Sequence, residues 1–186
     1  FNRSSLSIIS NYMIYRIILC FSLTHLFANL TAQVCDKDIP KIYVSEKAKA
    51  VYESKLAEAK INFENNPNAE NLIWLGRREA YLGNYQTAIL SYTNGIAKYP
   101  KDARFYRHRG HRYISSRCFE SALKDFKKAV GLTRYEDNEI EPDGLPNALG
   151  IPTSTLQGNI YYHLGLTYYI QKKYHKARYA YEKCLK

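Results

Sequence analysis

Apolar residues recur along this chain at helical spacing, in blocks separated by short breaks. Residues 45–64 place Ala48, Val51, Tyr52, Leu56, Ala59 and Phe63 on one stripe. Ser45 is positioned to cap that helix, and Lys47, Lys49 and Lys55 are left for water. A second stripe carries Leu72, Leu75 and Leu82. Gly83-Asn84 then breaks the helix, because both residue types tolerate left-handed backbone. Tyr85, Ala88, Ile89, Tyr92 and Ile96 form a matching stripe that Pro100 stops, and Asp102 suits the cap of the next helix. The pattern predicts an all-α chain of paired helices.

The pairs repeat. The spacing from Gly76 to Gly110 is the same as that from Ala88 to Ala122. Gly165 and Ala177 give the pair a third time, later than the period requires, and the excess is taken up by an insert at 137–157. Each Ala is followed one helical turn later by an aromatic: Tyr92, Phe126 and Tyr181. A period of roughly 34 residues means stacked supersecondary units in place of a single core, and it favours binding over catalysis.

These residues resemble the tetratricopeptide repeat (TPR), whose signature runs W-x2-L-G-x2-Y, then A-x3-F, then P. Residues 69–102 supply Leu72, Leu75-Gly76, Ala88, Tyr92 and Pro100, with Glu79 where an aromatic is usual. Residues 103–136 supply Tyr106, Gly110, Tyr113, Ala122 and Phe126, with Arg109 in place of Leu and Arg134 in place of Pro. The third unit supplies Tyr161, Leu164-Gly165, Tyr168, Ala177 and Tyr181. The resemblance implies a right-handed α-solenoid. In it the glycines would let paired helices approach, the alanines would lie opposite them, and the aromatics would fill the space between units. The helix at 45–64 would pack under the first unit as a cap.

The chain before these units divides further. Met13 is the only Met; after it come Arg16, a mostly apolar stretch from Ile17 to Leu30, and Ala32-Gln33 as a small-residue cleavage point. This reads as a secretory signal at 13–32, with 1–12 as upstream translation; a short buried or anchoring helix fits the same residues. Thr24, His25 and Asn29 make the stretch poor for a membrane span. Residues 33–68 are then a linker and capping helix, 69–136 two TPR units, 137–157 an insert and 158–186 a third unit, expected to be cut short. The expected location is exported, periplasmic or associated with the cell envelope of a bacterium. Cys35 after the signal leaves a lipoprotein anchor as a minor reading. Cys20, Cys35, Cys118 and Cys184 are too few and too scattered to suggest a disulfide framework.

The chain carries a formal net charge of +10. Removing 1–32 takes away only Arg3 and Arg16, so the excess lies in the repeats. A basic surface favours acidic partners, though it also serves solubility, and export argues against nucleic acid.

The charge is densest at 104–112, RFYRHRGHR. Arg104, Arg107 and His111 fall at i, i+3 and i+7, on one helix face. By resemblance, the first helix of each unit lines a concave groove, and Arg77, one repeat before His111, would sit beside it. Guanidiniums bind carboxylate or phosphate in pairs of hydrogen bonds. Arg77, Arg104, Arg107 and His111 are therefore the candidate groove residues, with His108, Arg109 and Tyr162 as possible additions. An ordinary solvated basic face fits the same pattern. Arg109 occupies a core-facing position and needs an acid, which the insert could supply. The chaperone-tail clamp of the family uses Lys and Asn at positions held here by Ile73, Arg77, His108 and Arg104, so that partner is not implied.

The insert is acidic at its start, with Glu136, Asp137, Glu139, Glu141 and Asp143 nearby. Pro142-Asp143-Gly144 signals a turn, and Ser154 to Gln157 reads as a capping box opening a helix that runs to about Ile170. The segment could fold onto the basic face as a lid or partner mimic, or be a plain spacer.

Nucleotide-loop, G-x-S-x-G, C-x-x-C and H-E-x-x-H motifs do not occur. His108, His111 and Cys118 lack a fourth ligand, so no metal and no cofactor is expected, and His163 and His175 read as a groove or surface residue and a turn residue. The expected function is a non-enzymatic scaffold binding a protein or peptide, one with acidic character, through a basic groove. The alternatives are a non-protein polyanion, such as an anionic glycan or lipid head group, and an accessory region of an enzyme.

Overall fold

The computed structural model describes residues 44–138, 140–141, 148–151 and 153–185. The apolar segment at 17–30, Cys35 and the turn at 142–144 lie outside them. Among the described residues there are seven helices: α1 Glu46–Asn65, α2 Ala69–Tyr81, α3 Tyr85–Lys98, α4 Ala103–Ser115, α5 Phe119–Thr133, α6 Leu156–Ile170 and α7 Tyr174–Cys184. The sole β feature among these residues is an isolated antiparallel bridge, Ile140 to Thr155.

Side chains start four of the helices by accepting orphan backbone N–H groups. Ser45 accepts from Ala48, Asn68 from Asn71, and Asp102 from Arg104. The α6 cap is Thr155, accepting from Gly158 at 3.0 Å, and not Ser154 as the capping-box reading expected. Ser154 uses its carbonyl for the Glu141 N–H instead. Gln157 is then free to donate to the carbonyls of Thr133 and Glu136, which ties α6 to the end of α5.

The inter-helix turn has one geometry in all three units. Gly83, Arg117 and Lys172 occupy the same repeat position and take φ of 79°, 56° and 60°. Only the first is the residue that this backbone prefers.

Packing follows the signature, with one refinement. Tyr92, Phe126 and Tyr181 lie on the glycine of their own unit: a Cβ at Gly76, Gly110 or Gly165 would come within 2.5, 2.9 and 2.7 Å of the ring. Two of these rings also reach the next unit. Tyr92 stacks on His108 at 5.6 Å and Phe126 on His163 at 5.9 Å, and the two histidines are repeat equivalents. Ala88, Ala122 and Ala177 are buried beside the rings. Phe105 crosses to Gly95 and carries the core from the first unit into the second. Ala129, Tyr106 and Ile160 continue it into the third.

The cap helix α1 packs on α2, where Asn71 donates its side-chain amide to the carbonyls of Asn62 and Asn66. Glu79, at the aromatic position of the first unit, is buried and accepts from Asn84 in its own turn, with Lys60 of α1 at 4.0 Å. Val51 departs from the predicted stripe and is exposed, because α1 is covered on one side only. Cys118 is buried at the start of α5, and Cys184 is free.

Candidate functional site

The first helices of the three units, α2, α4 and α6, line a groove of about 800 Å³. Its basic wall comes from Arg77 on α2 and Arg107 and Arg112 on α4, with His111 between the last two. Asn159, Tyr162 and His163 of α6 face it, and Tyr92 forms part of the floor. Helical spacing explains the convergence: these helices lie side by side, so positions a repeat apart become neighbours.

Tyr92 is at the electrical centre. Burial raises its hydroxyl well above the usual phenol range, while Arg112, Arg77 and Arg107 pull in the opposite direction. Arg112 is missing from the predicted set, yet it is a groove cation. The largest electrostatic influences on it are the hydroxyls of Tyr92, Tyr85 and Tyr81 and the guanidinium of Arg77, and its own charge acts on Arg107, His111 and His163. Burial, reinforced by Arg77, lowers its pKa. The sequence holds a signal for it, since Arg77-Arg78 recurs one repeat later as His111-Arg112. Arg77 lies over the Trp74 ring at 4.1 Å and donates to the Tyr81 hydroxyl at 3.2 Å.

Arg107 is buried against the insert. Its Nη2 donates to Glu141 Oε2 at 3.1 Å, and the two side chains are only 14% and 13% exposed. Asn159 of α6 donates to the same oxygen. The Arg107 Nη1 lies 3.0 Å from the His108 ring, and among the described residues the Nε has no hydrogen-bond partner. Burial lowers the Arg107 pKa and Glu141 partly restores it.

The other predicted residues separate. Arg104 does not line the groove; it is bonded to Asp102 and, at 2.6 Å, to Glu70, its own repeat equivalent in the preceding unit. It lines a different hollow with Glu141 and Gln157. Arg109 takes its acid from α5 and not from the insert: Asp125 accepts two hydrogen bonds of 2.8 Å from it. The core-facing geometry of position 109 points it at the partner helix of its own unit. Tyr162 is half exposed and stands edge-on to His163 at 5.1 Å.

The groove histidines are held neutral. Burial takes His111 down to about 2, helped by Arg112, His163 and Arg107. Burial also takes His163 to about 4, against a hydrogen bond to the Asn159 carbonyl. His108 is pushed well below its usual value by burial and by Arg107. The His111 and His163 rings are 4.3 Å apart. Among the described residues no three His, Cys, Asp or Glu groups converge as metal ligands would, and no helix is long and apolar enough to cross a membrane.

No protein-family model matches the chain, and no curated protein matches it in sequence. Solved structures do match in fold. MamA superposes with a TM-score of 0.54 at 21% identity, over 77% of this chain and 75% of that one. TTC0263, a TPR protein of Thermus thermophilus, gives 0.57 at 18% identity, over 75% and 67%. The second TPR of Spaghetti (RPAP3), solved with the HSP90 peptide SRMEEVD, gives 0.50 at 21% identity, over 66% and 94%. The chain has the TPR fold, an all-helical solenoid.

Proposed function

We propose that this protein is a non-enzymatic scaffold whose basic groove holds an acidic segment of a partner protein or peptide. The observation that carries the reading is the convergence of Arg77, Arg107 and Arg112 on Tyr92 at the wall of one groove. Guanidiniums crowded together in a half-buried site repel one another, and an anion between them relieves that repulsion. The group already seated on Arg107 is a carboxylate, which favours an acidic peptide over a phosphorylated or sulfated polyanion. The RPAP3 repeat of similar fold was solved with a peptide that itself contains acidic residues.

Other features support the non-enzymatic part. The groove histidines are neutral, His108 and His163 are stacked on Tyr92 and Phe126, and among the described residues none bonds a carboxylate that would make it a general base. Export is supported by the signal-like residues 13–32.

Fluorescence anisotropy with a labelled octaglutamate peptide tests the groove. Arg112→Glu should abolish binding that the wild type shows; equal binding by the two rejects the site. Equal capture of a sulfated glycan, with steep salt dependence, would favour the polyanion reading.

A further inference from the structure

Resting on that reading, we infer that the insert is a built-in competitor: Glu141 occupies the Arg107 end of the groove and must be displaced before an acidic segment can fill it. Three observations place it there. The insert is drawn together at its neck, where Ile140 bridges Thr155 and the Glu141 N–H donates to the Ser154 carbonyl at 3.0 Å. That neck delivers the Glu141 side chain between α4 and α6. There one of its oxygens accepts from both Arg107 and Asn159.

The position matters because Glu141 lines a second hollow, of about 530 Å³, with Arg104, while the two residues it bonds, Arg107 and Asn159, line the groove with Arg77, His111 and Arg112. Withdrawing Glu141 would leave Arg104 and Arg107, one helical turn apart on α4, facing one continuous channel.

The internal contact is also a poor one for Arg107. Glu141 binds through a single oxygen, and the buried Arg107 Nε is left without a partner. A buried donor without an acceptor costs free energy comparable to a lost hydrogen bond. A ligand carboxylate approaching the Nε edge of the guanidinium could accept two parallel hydrogen bonds, which is the stronger arrangement. The ligand class follows: an extended segment with at least two carboxylates, one for the open site at Arg112 and one that replaces Glu141 on Arg107.

The experiment measures octaglutamate affinity in wild type, Glu141→Gln, Asn159→Ala and Arg112→Glu, with urea unfolding of each. Glu141→Gln should bind roughly tenfold tighter, because the competing charge is gone. Asn159→Ala, which loosens Glu141 without stranding Arg107, should shift affinity in the same direction and keeps the test open if Glu141→Gln unfolds. If Arg112→Glu abolishes binding while both insert variants bind no tighter than wild type, the competitor is overturned and the groove stands. If no variant and no wild type binds the peptide, both fall together.

Discussion

Arg109 and Asp125 form a two-point ion pair between α4 and α5, Nε to Oδ2 and Nη2 to Oδ1, each 2.8 Å. The pair stands where the repeat ordinarily has an apolar residue. Removing one member leaves a mostly buried charge alone, which typically costs about 3–5 kcal/mol, whereas replacing both with apolar groups is often neutral or better. Arg109→Leu should therefore lower stability by about 3 kcal/mol, and Arg109→Leu with Asp125→Leu should recover most of the loss. Urea midpoints of the two singles and the double check this; additive losses would contradict it.

The three positive-φ turn positions give a second prediction. Arg117 and Lys172 adopt at 56° and 60° a backbone that Gly83 adopts without cost. Arg117→Gly and Lys172→Gly should each stabilise by up to about 1 kcal/mol. Gly76→Ala should do the reverse, by about 1–3 kcal/mol, because its Cβ would stand 2.5 Å from the Tyr92 ring. Thermal unfolding of the three variants separates turn strain from close packing.

What the sequence reveals and what it hides divide along physical lines. Gly76, Gly110, Gly165 and their aromatics lie at fixed spacings because packing within a unit is local and periodic. Helix ends are legible at Ser45 and Asp102, where short polar side chains have one obvious N–H to reach. Arg112 is hidden because it is a neighbour of His111 in the chain and so falls off a single-helix stripe. A groove shared by three helices admits two adjacent rows of side chains. The Glu141–Arg107 contact is legible only as a general fold-back of the insert. Its register depends on the bridge from Ile140 to Thr155, and no periodicity encodes that bridge. The acid for Arg109 is misplaced for a related reason: Asp125 is 16 residues away and is brought near only by the α4–α5 turn.

Arg104 should behave differently in two backgrounds. In the wild type it is bonded to Asp102 and Glu70 and lines a hollow with Glu141, apart from the groove. Arg104→Glu should then change octaglutamate affinity less than about threefold, against abolition by Arg112→Glu. In the Glu141→Gln background the hollow joins the groove, and Arg104→Glu should weaken binding by about tenfold. A double-mutant cycle on affinity reads the coupling. Equal effects of Arg104→Glu in both backgrounds would mean that Glu141 does not separate the two hollows.

The groove histidines predict how stability responds to acid. In the unfolded chain a histidine takes up its proton near pH 6.5. In the folded protein burial delays that uptake to about 4 at His163 and about 2 at His111, and well below the usual value at His108. The unfolded state therefore binds more protons across this window, and stability falls as pH drops from about 6.5 towards 4. Each histidine contributes a slope of up to about 1.4 kcal/mol per pH unit. Above about pH 7 these groups contribute no slope, because they are neutral in both states. His163→Gln removes one proton from the balance and should flatten the profile between pH 6.5 and 4, even if it lowers stability at pH 7.5 by losing the stack on Phe126. Urea midpoints at half-unit steps from pH 7.5 to 4.5 give the comparison. A wild-type profile that stays level through pH 5 would show that the histidines are charged in the folded groove, and would add them to Arg77, Arg107 and Arg112 as groove cations.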